Sequence, residues 1–515
     1  DQLGWSYALS ASGFSTDGAR PQSAAAQGTA NLKLTRQSGA DRLVMLFNHH
    51  ALRADDPLGL SRAEFDTNPR QTTPNALAYD TRKTVRQTQL GAAWEHRLNA
   101  EQRLELMGWL GQRGVWQYQA IPPAAQAAPG SAGGVIDLDR PYGGAHARWR
   151  LDRPMGDATL GLVAGLTWSR QREQRAGYEN FIGPHLGVLG RLRRDETNLA
   201  DAAEPYVQAE WRTPGWTLAG GLRYSHVRFT SRDHYIAPGN GDDSGRTRYS
   251  GISPVIGGRV QLAESLQAFA SVGGGFETPT LNEAAYSPGA QAGLNRGLSA
   301  SRQQSAEIGL RGRHGWGGWT ATLFDVRTQD EIVPAQNLGG RTTFQHAGRT
   351  HRHGLELSAD AEFGPVTLTG AATFIEARFR DGYSKCAAPP CANPADVVPA
   401  GRRIPGIARQ QLYAQLDWRL AWAQGAVLGL EARHTGRVPV NDANSDFAGA
   451  ATVLALSLRH DITRGAWRLQ PFLRIDNLTN RRYAGSVIVN EGNGRFFEPA
   501  AGRSIFVGLE VRARR

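Results

Sequence analysis

The stretch Trp216-Thr217-Leu218-Ala219-Gly220-Gly221-Leu222-Arg223-Tyr224 indicates the fold class of this chain. Every second residue is apolar or small, and in an extended strand these residues lie on one face: Trp216, Leu218, Gly220, Leu222 and Tyr224. The intervening residues lie on the other face: Thr217, Ala219, Gly221, Arg223 and Ser225. A repeat of two residues with one apolar face predicts a half-buried β-strand.

The same alternation recurs in 206–211, 412–420 and 468–476, where one face is apolar and the other is often charged. A water-soluble β-sandwich would also alternate, but its strands are typically shorter. These runs approach or exceed the roughly 10 residues that cross a bilayer at a tilt. Aromatic residues at strand ends, such as Trp216, Trp418 and Trp467, fit an interfacial girdle. The pattern favours strands that span a membrane.

The predicted connections alternate between short and long, which is typical of an outer-membrane barrel. Short turns are expected near Ser38-Gly39, Asn99-Ala100, Pro154-Gly156, Pro214-Gly215, Ala263-Glu264, Gly315-Gly317, Gly364-Pro365, Ala423-Gly425 and Thr463-Gly465. Long polar connections are expected at 51–83, 113–143, 170–203, 230–246, 277–300 and 379–405. These turns give about twenty strands, and a missed hairpin would add two more. A barrel of that size has a lumen too wide for its own side chains to fill.

Composition excludes several other classes of protein. The 515 residues are 40% hydrophobic, their mean hydropathy is −0.43, and no run of eighteen apolar residues occurs, which argues against helical membrane spans. The N-terminal residues do not resemble a signal peptide. The two cysteines, Cys386 and Cys391, lie in one Pro-rich stretch and suit a single loop disulfide in an oxidising compartment.

The chain is basic, with a net charge of +11, and nearly all of the positive charge is arginine. One interpretation is a codon preference that also favours Ala and Gly. The other is a surface for bidentate recognition of carboxylate or phosphate. The arginines are scattered and no nucleic-acid-binding module is recognisable, so a nucleic-acid partner is not expected.

Other candidate sites are weaker. His351 and His353 share a face of a predicted strand near His346, but solvated histidines facing the lumen are expected rather than a metal or haem site. His49 and His50 would point to opposite faces, which argues against joint ligation. Asp242-Asp243 is interpreted as a turn rather than a calcium site. Hydrolase and ATPase motifs are not recognisable, so we expect no enzymatic activity, no bound metal and no cofactor.

The C-terminal segments Asp476-Asn477-Leu478-Thr479-Asn480-Arg481-Arg482-Tyr483 and Phe496-Phe497-Glu498-Pro499-Ala500-Ala501-Gly502-Arg503 resemble the closing signature of TonB-dependent outer-membrane receptors. Further matches are Phe276-Glu277-Thr278-Pro279-Thr280-Leu281-Asn282-Glu283, Glu307-Ile308-Gly309 and Asn295-Arg296-Gly297-Leu298. The resemblance implies an all-β, 22-stranded antiparallel transmembrane β-barrel. It also implies an N-terminal plug domain, which we do not find in this sequence. Residues 1–515 are therefore interpreted as a single barrel domain with the plug absent from this chain, either as a barrel excerpt or as a plugless relative.

Within that family, several stretches resemble the YncD-type receptors for the redox cofactor pyrroloquinoline quinone. They lie mostly in the expected long loops: Asp56-Pro57-Leu58-Gly59-Leu60, Thr81-Arg82-Lys83-Thr84, Gln117-Tyr118-Gln119-Ala120-Ile121-Pro122, Gly133-Gly134-Val135-Ile136-Asp137-Leu138, Gly177-Tyr178-Glu179-Asn180-Phe181, Gly239-Asn240-Gly241-Asp242-Asp243-Ser244-Gly245 and Gly485-Ser486-Val487-Ile488-Val489-Asn490-Glu491. The cysteine pair followed by Arg403-Ile404-Pro405-Gly406-Ile407-Ala408 also resembles that group, which supports the disulfide.

The resemblance implies import of a scarce anionic ligand across the outer membrane of a Gram-negative bacterium. The implied partners are the TonB-ExbB-ExbD complex, acting through the plug, and the surrounding lipid; a monomer is expected. Two alternatives stay open. One is a ferric-siderophore or haem receptor of the same fold, and the other is a passive pore or adhesin barrel. The chain also departs from the family because it ends in Arg512-Ala513-Arg514-Arg515 rather than in an aromatic residue.

Pyrroloquinoline quinone is a flat tricarboxylate, so its receptor needs converging guanidinium or amide donors and a face on which the rings stack. The implied ligand-binding residues combine those features: Arg82, Lys83, Arg113, Trp116, Tyr118, Arg172, Arg175, Tyr178, Asn490, Asn493 and Arg495. Any single arginine of this set could instead belong to a solvated ion-pair network, so the prediction concerns the set.

Overall fold

The computed structural model describes residues 4–287, 293–338, 341–385 and 396–513. Within them, 21 strands form one large sheet: β1 (Trp5–Thr16), β2 (Ala25–Ser38), β3 (Asp41–Asp55), β4 (Arg82–Arg97), β5 (Gln102–Tyr118), β6 (Val135–Met155), β7 (Ala158–Tyr178), β10 (Leu192–Arg212), β11 (Trp216–Asp233), β12 (Gly245–Ala263), β13 (Leu266–Glu277), β14 (Ser301–His314), β15 (Gly317–Gln329), β18 (Thr350–Phe363), β19 (Val366–Phe379), β22 (Gln410–Arg419), β23 (Ala426–Thr435), β26 (Ala451–His460), β27 (Ile462–Arg464), β28 (Trp467–Asp476) and β31 (Ser504–Ala513).

Five small hairpins lie in the connections between these strands: β8 (Phe181–Ile182) with β9 (His185–Leu186), β16 (Ile332–Leu338) with β17 (Arg341–His346), β20 (Tyr383–Lys385) with β21 (Asp396–Val398), β24 (Val438–Pro439) with β25 (Phe447–Ala448), and β29 (Ala484–Val487) with β30 (Phe497–Pro499). The described helices are short: α1 (Arg62–Thr67), α2 (Pro74–Ala78), α3 (Pro123–Gln126) and α4 (Leu281–Ala284). None of them is long and apolar enough to cross a membrane.

Consecutive strands of the large sheet pair antiparallel, except that β26 does not pair with β27 and both pair with β28. The predicted all-β, antiparallel class is therefore confirmed. Within the described residues, β1 pairs only with β2 and β31 only with β28. A closed barrel of 22 strands remains a prediction.

All nine predicted short turns are confirmed, and because the strands alternate in direction they lie along one edge of the sheet. Each of these turns joins two sheet strands. Gly39 (φ 57°) and Gly465 (φ 56°) occupy the left-handed region that glycine adopts without a steric penalty.

The predicted long connections follow the opposite edge, but several are shorter than expected. Strand β5 continues to Tyr118 and β6 begins at Val135, so the predicted loop 113–143 is reduced to 119–134. In the same way, β7 continues to Tyr178 and β10 begins at Leu192, so the predicted loop 170–203 is reduced to residues 179–191. The ends of β7 and β10 carry charged or amide side chains on both faces, such as Arg172, Glu173, Asp195 and Glu196, so the two-residue hydrophobic pattern disappears there although backbone pairing continues. Most of the predicted binding residues consequently lie on strands rather than in loops.

The two faces of the sheet differ in chemistry. Leu218 and Leu222, 48% and 46% exposed, lie on the same face of β11, while Arg223 lies on the other. Register places Leu90, Leu110 and Leu166 on the corresponding face of other strands, and all three are exposed. We call this the apolar face and the opposite one the polar face. A soluble sandwich would bury its apolar face between two sheets, so the exposure of these leucines excludes that alternative.

The assignment of the two faces predicts that an arginine introduced on the apolar face of β11 lowers the free energy of unfolding more than one introduced on the polar face. In lipid bilayers, Leu222→Arg should lower the free energy of unfolding by about 2–4 kcal/mol, because it places a guanidinium in hydrocarbon. Ala219→Arg is the matched control, since Ala219 lies on the polar face directly opposite Glu210. Equal losses in urea unfolding from lipid vesicles would contradict the assignment of the faces.

Candidate functional site

The structure divides the predicted ligand-binding residues between the two faces. Cross-strand register places five of the strand residues on the apolar face: Arg82, Trp116, Tyr118, Arg172 and Tyr178. Lys83, Arg113 and Arg175 lie on the polar face. The eight residues therefore do not line one pocket, because neighbouring side chains on a strand point in opposite directions.

On the apolar face, the predicted stacking groups contact each other. The guanidinium of Arg82 lies 3.7 Å from the centroid of the Tyr118 ring and donates to Asp80 Oδ2 at 2.6 Å. The rings of Trp116 and Tyr178 stack with their centroids 6.4 Å apart. These residues form a row of aromatic and cationic groups at the loop end of β4, β5 and β7, and Arg172 is exposed on the same face.

On the polar face, Arg113 belongs to a chain of hydrogen bonds between neighbouring strands. Its Nη1 donates to Gln87 Oε1 at 3.1 Å, Gln87 Nε2 donates to the Tyr142 hydroxyl at 3.2 Å, and Tyr142 donates to Gln89 Oε1 at 2.8 Å. Lys83 is exposed on this face. These polar groups present several donors and acceptors to a solute on this side of the sheet.

Arg175 lies beside a more buried network. Glu173 and Glu196 are 2% and 3% exposed; Arg140 Nε donates to Glu173 at 2.9 Å, and Arg194 pairs with Glu196. Arg175 itself donates to Asn282 of α4. Through Asn282 the network joins the sheet to α4, so Arg175 has a structural contact.

The three predicted residues near the C-terminus hold connections at the loop edge of the sheet together. Asn490 Nδ2 donates to Asp442 Oδ2 at 2.9 Å, and the Asp442 amide donates back to Asn490 Oδ1 at 3.0 Å. Asn493 Nδ2 donates to Glu491 at 2.9 Å, and Arg495 Nε lies 3.8 Å from Glu64 Oε2. The connections 56–81, 436–450 and 477–503 therefore form one assembly, which we call the loop cluster.

An apolar core supports the loop cluster. Phe497 is fully buried, its ring lies 5.4 Å from that of Phe65, and Val440 and Ala448 are buried beside it. The guanidinium of Arg62 lies 4.1 Å from the centroid of the Phe497 ring.

Ion pairs add to these loop contacts. Burial alone would raise the pKa of Asp446, but hydrogen bonds from Arg62 and from the Phe447 amide lower it below its ordinary value. At a second junction, hydrogen bonds from Arg349 hold the pKa of Asp381 at about 2. Both carboxylates are charged at neutral pH, so both junctions are ionic there.

A pocket of about 670 Å³ is lined by Asp242 and Ser244, by Ser287 and residues 293–298, and by residues 344–346. Asn295 Nδ2 donates to the Phe344 carbonyl at 2.9 Å, and the imidazole of His346 lies 3.2 Å from the Ser299 carbonyl oxygen. Arg296 lines the pocket and is exposed. The pocket combines a cation, an imidazole and amide groups. The sequence indicated it only through the stretch Asn295-Arg296-Gly297-Leu298 and through His346, neither of which was included in the predicted binding set.

The expectation that His351 and His353 face the lumen is wrong in the direction of the side chains. Both share the apolar face with Leu355, and their rings lie 4.7 Å apart. His351 Nε2 lies 2.5 Å from Asp325 Oδ2. Within the residues that the structure describes, no group of three His, Cys, Asp or Glu could hold a metal ion. Cys386 and Cys391 lie outside the described residues, so their disulfide remains a prediction.

The loop cluster predicts a local effect of removing its central ring. Phe497→Ala removes a fully buried side chain, which typically costs about 3–5 kcal/mol, and should make 56–81, 436–450 and 477–503 exchange amide hydrogens and be cleaved by proteases faster. Phe363→Ala, on the exposed apolar face, is the control. Unchanged protection in the Phe497 variant would show that these connections are held by other contacts.

Comparisons with known proteins agree with this architecture. The family model described as "TonB dependent receptor-like, beta-barrel" matches residues 13–478. The ferrichrome receptor FcuA of Yersinia enterocolitica is 24% identical over 373 residues, which are 68% of this chain and 45% of the relative. The chain thus spans less than half the length of that curated relative.

Solved structures show the same fold. The unliganded ferric citrate transporter FecA superposes with a TM-score of 0.81 at 16% identity, covering 99% of this chain and 74% of that one. The siderophore receptor PiuA of Acinetobacter baumannii gives a TM-score of 0.81 at 13% identity, with 99% and 78% covered. Since the family model matches most of the sequence, the chain belongs to the TonB-dependent receptors and corresponds to their β-barrel region.

Proposed function

We propose that the protein is an outer-membrane receptor that imports a ferric siderophore across the outer membrane of a Gram-negative bacterium. The observation that carries the proposal is the external pocket with Arg296 and His346, which lies at the loop edge of the sheet. Its volume of about 670 Å³ is within the range of small-molecule sites. Relatives named for ferrichrome, ferric citrate and siderophores support this ligand class.

In the proposed mechanism, the external connections capture the ligand and the polar face conducts it inward. The hydrogen-bonded row of Arg113, Gln87, Tyr142 and Gln89 offers exchangeable polar contacts below the loops. Because such groups exchange partners with a passing solute, they can replace part of its hydration. The apolar face contacts lipid.

Transport through this sheet requires further parts of the protein. Lipid leaves unpaired backbone groups unsatisfied, so we propose that the sheet closes as a 22-stranded barrel. A plug domain fills its lumen, and the TonB-ExbB-ExbD complex pulls on that plug, because the outer membrane has no ATP or maintained potential. We propose that the receptor works as a monomer, that it has no enzymatic activity, and that residues 1–515 are its barrel domain.

Pyrroloquinoline quinone is the competing ligand, supported by the resemblance of the long connections. Its rings would need a stacking surface, and the row formed by Arg82, Tyr118, Trp116 and Tyr178 is one. That row lies on the apolar face, away from the proposed path. The ferric siderophore is therefore the better-supported ligand.

Binding titrations distinguish the two ligands and the two faces. Adding ferrichrome should quench the tryptophan fluorescence of the purified receptor saturably, and adding pyrroloquinoline quinone should not. Arg296→Gln and Arg113→Gln should each weaken binding about tenfold, the range for losing a hydrogen bond to a charged group. Arg82→Gln is the control, because Arg82 lies on the apolar face. Saturable binding of pyrroloquinoline quinone alone, weakened by Arg82→Gln, would reverse the assignment.

Energised import also separates a receptor from a passive pore. In iron-limited cells that produce the whole protein, growth on the ferric siderophore should require TonB and the inner-membrane proton gradient. A passive pore would admit the ligand in a strain that lacks TonB. Growth of that strain at the normal rate would therefore contradict the proposal.

A further inference from the structure

Lys385 differs in its surroundings from the other lysines of the chain. Only three of the 58 lysine and arginine residues are lysines, and Lys33 and Lys83 are exposed. The side chain of Lys385 is 19% exposed, and its Nζ lies 3.5 Å from Oδ2 of Asp442, a residue that is 1% exposed. Arginine, the usual cation of this chain, would serve a plain ion pair. A lysine amine, unlike a guanidinium, can lose a proton and become a nucleophile.

The carboxamide of Asn490 contacts the same carboxylate. Its Nδ2 donates to Asp442 Oδ2 at 2.9 Å, and the Asp442 backbone amide donates to its Oδ1 at 3.0 Å. The backbone amide of Asn490 donates to the Val440 carbonyl at 3.0 Å, and its φ of 56° lies in the left-handed region. Asn490 is therefore held in place, with its amide nitrogen and the Lys385 amine on one carboxylate oxygen.

Apolar clusters flank these three residues on two sides. Tyr383 packs with Phe379 and Val398, and burial, followed by the negative charge of Asp442, raises the pKa of its hydroxyl. On the other side, the fully buried Val440 belongs to the apolar core of the loop cluster. These surroundings keep water away from the Asn490 carboxamide, which favours attack by an amine over hydrolysis.

We infer that Lys385 and Asn490 become joined by an isopeptide bond inside the folded chain, with Asp442 carrying the protons. The Lys385 amine is the nucleophile, and the carboxylate that it contacts is the base that activates it. The backbone amide of Asp442 stabilises the negative charge that develops on Asn490 Oδ1. Because folding brings these groups together, the reaction is intramolecular and needs no separate enzyme.

The reaction exchanges one amide nitrogen for another. Asp442 Oδ2 takes a proton from the Nζ ammonium, and the lone pair of Nζ then forms a bond with Cγ of Asn490. Asp442 passes that proton to Nδ2, the Cγ–Nδ2 bond breaks, and ammonia leaves. A second proton moves from Nζ through Asp442 to the ammonia, which departs as ammonium. The carboxylate is regenerated, and no oxidant or reductant is needed.

The bond joins two connections at the loop edge of the sheet. Lys385 lies between β19 and β22, and Asn490 lies between β28 and β31, within the loop cluster. A covalent tie keeps these connections together when their non-covalent contacts open, and local opening is what exposes loops to proteases. The inference goes beyond the proposed function, because it does not depend on the ligand.

The test measures the mass of the purified wild-type protein after denaturation and reduction of disulfides. The mass should be lower than that of the unmodified chain by one ammonia molecule, and fragmentation of proteolytic peptides should place the link between Lys385 and Asn490. A lysine-specific endoproteinase should cleave after Lys33 and Lys83 but not after Lys385, whose amine is blocked. An unmodified mass with cleavage after Lys385 would overturn the inference, and so would loss of water with a link to Asp442.

Variants test the role of each group. Lys385→Arg keeps the positive charge beside Asp442, and Asp442→Asn keeps the shape of the side chain but removes the proton acceptor. Both should show the unmodified mass, and Asp442→Asn should be cleaved after Lys385. Asn493→Ala is the matched control, because Asn493 donates to the Glu491 carboxylate in the same connection as Asn490. It should lose ammonia like the wild-type protein. Loss of ammonia from Lys385→Arg, or an unmodified mass in Asn493→Ala, would contradict the assignment.

Discussion

The structure depends on backbone hydrogen bonding between consecutive antiparallel strands. In hydrocarbon, an unpaired N–H or C=O group costs several kcal/mol, so a membrane sheet must satisfy its backbone within itself. The pairings of β6 with β7 and of β7 with β10 each extend over about twenty residues, and nine tight turns keep neighbouring strands in register. Because this pairing needs no particular side chain, both faces are free to take their chemistry from their surroundings.

Because backbone pairing places no demand on the side chains, the two faces of the sheet carry different chemistry. Leucines and aromatic residues on one face are exposed in the isolated chain, as expected of a face that contacts lipid, whereas glutamines, arginines and carboxylates on the other bond to one another. Arg82 and Arg113 belong to adjacent strands and both lie near the loop edge, yet one packs on Tyr118 and the other donates to Gln87. A ligand on the apolar face can contact Arg82 but not Arg113, and a ligand on the polar face can contact Arg113 but not Arg82.

The long connections form apolar cores of their own at the loop edge of the sheet. Apolar residues are buried mainly where connections meet, as around Phe497 and around Phe379, rather than between layers of the sheet. Bidentate pairs such as Arg62 with Asp446 and Arg349 with Asp381 hold these connections together. The pocket with Arg296 and His346 is formed by three connections that only the closeness of their strands brings together.

The amino-acid sequence by itself determined the strands, the nine turns and which residues of a strand share a face, because these follow from the local geometry of two successive residues. It also indicated the family, through segments near the C-terminus. It did not reveal the loop-edge limits of strands such as β7 and β10, since their polar extensions lose the hydrophobic pattern. Only the tertiary structure decided which loops meet: Arg62 and Asp446 are separated by 384 positions, and nothing local in the sequence specifies such a contact. The external pocket depends on contacts of the same kind.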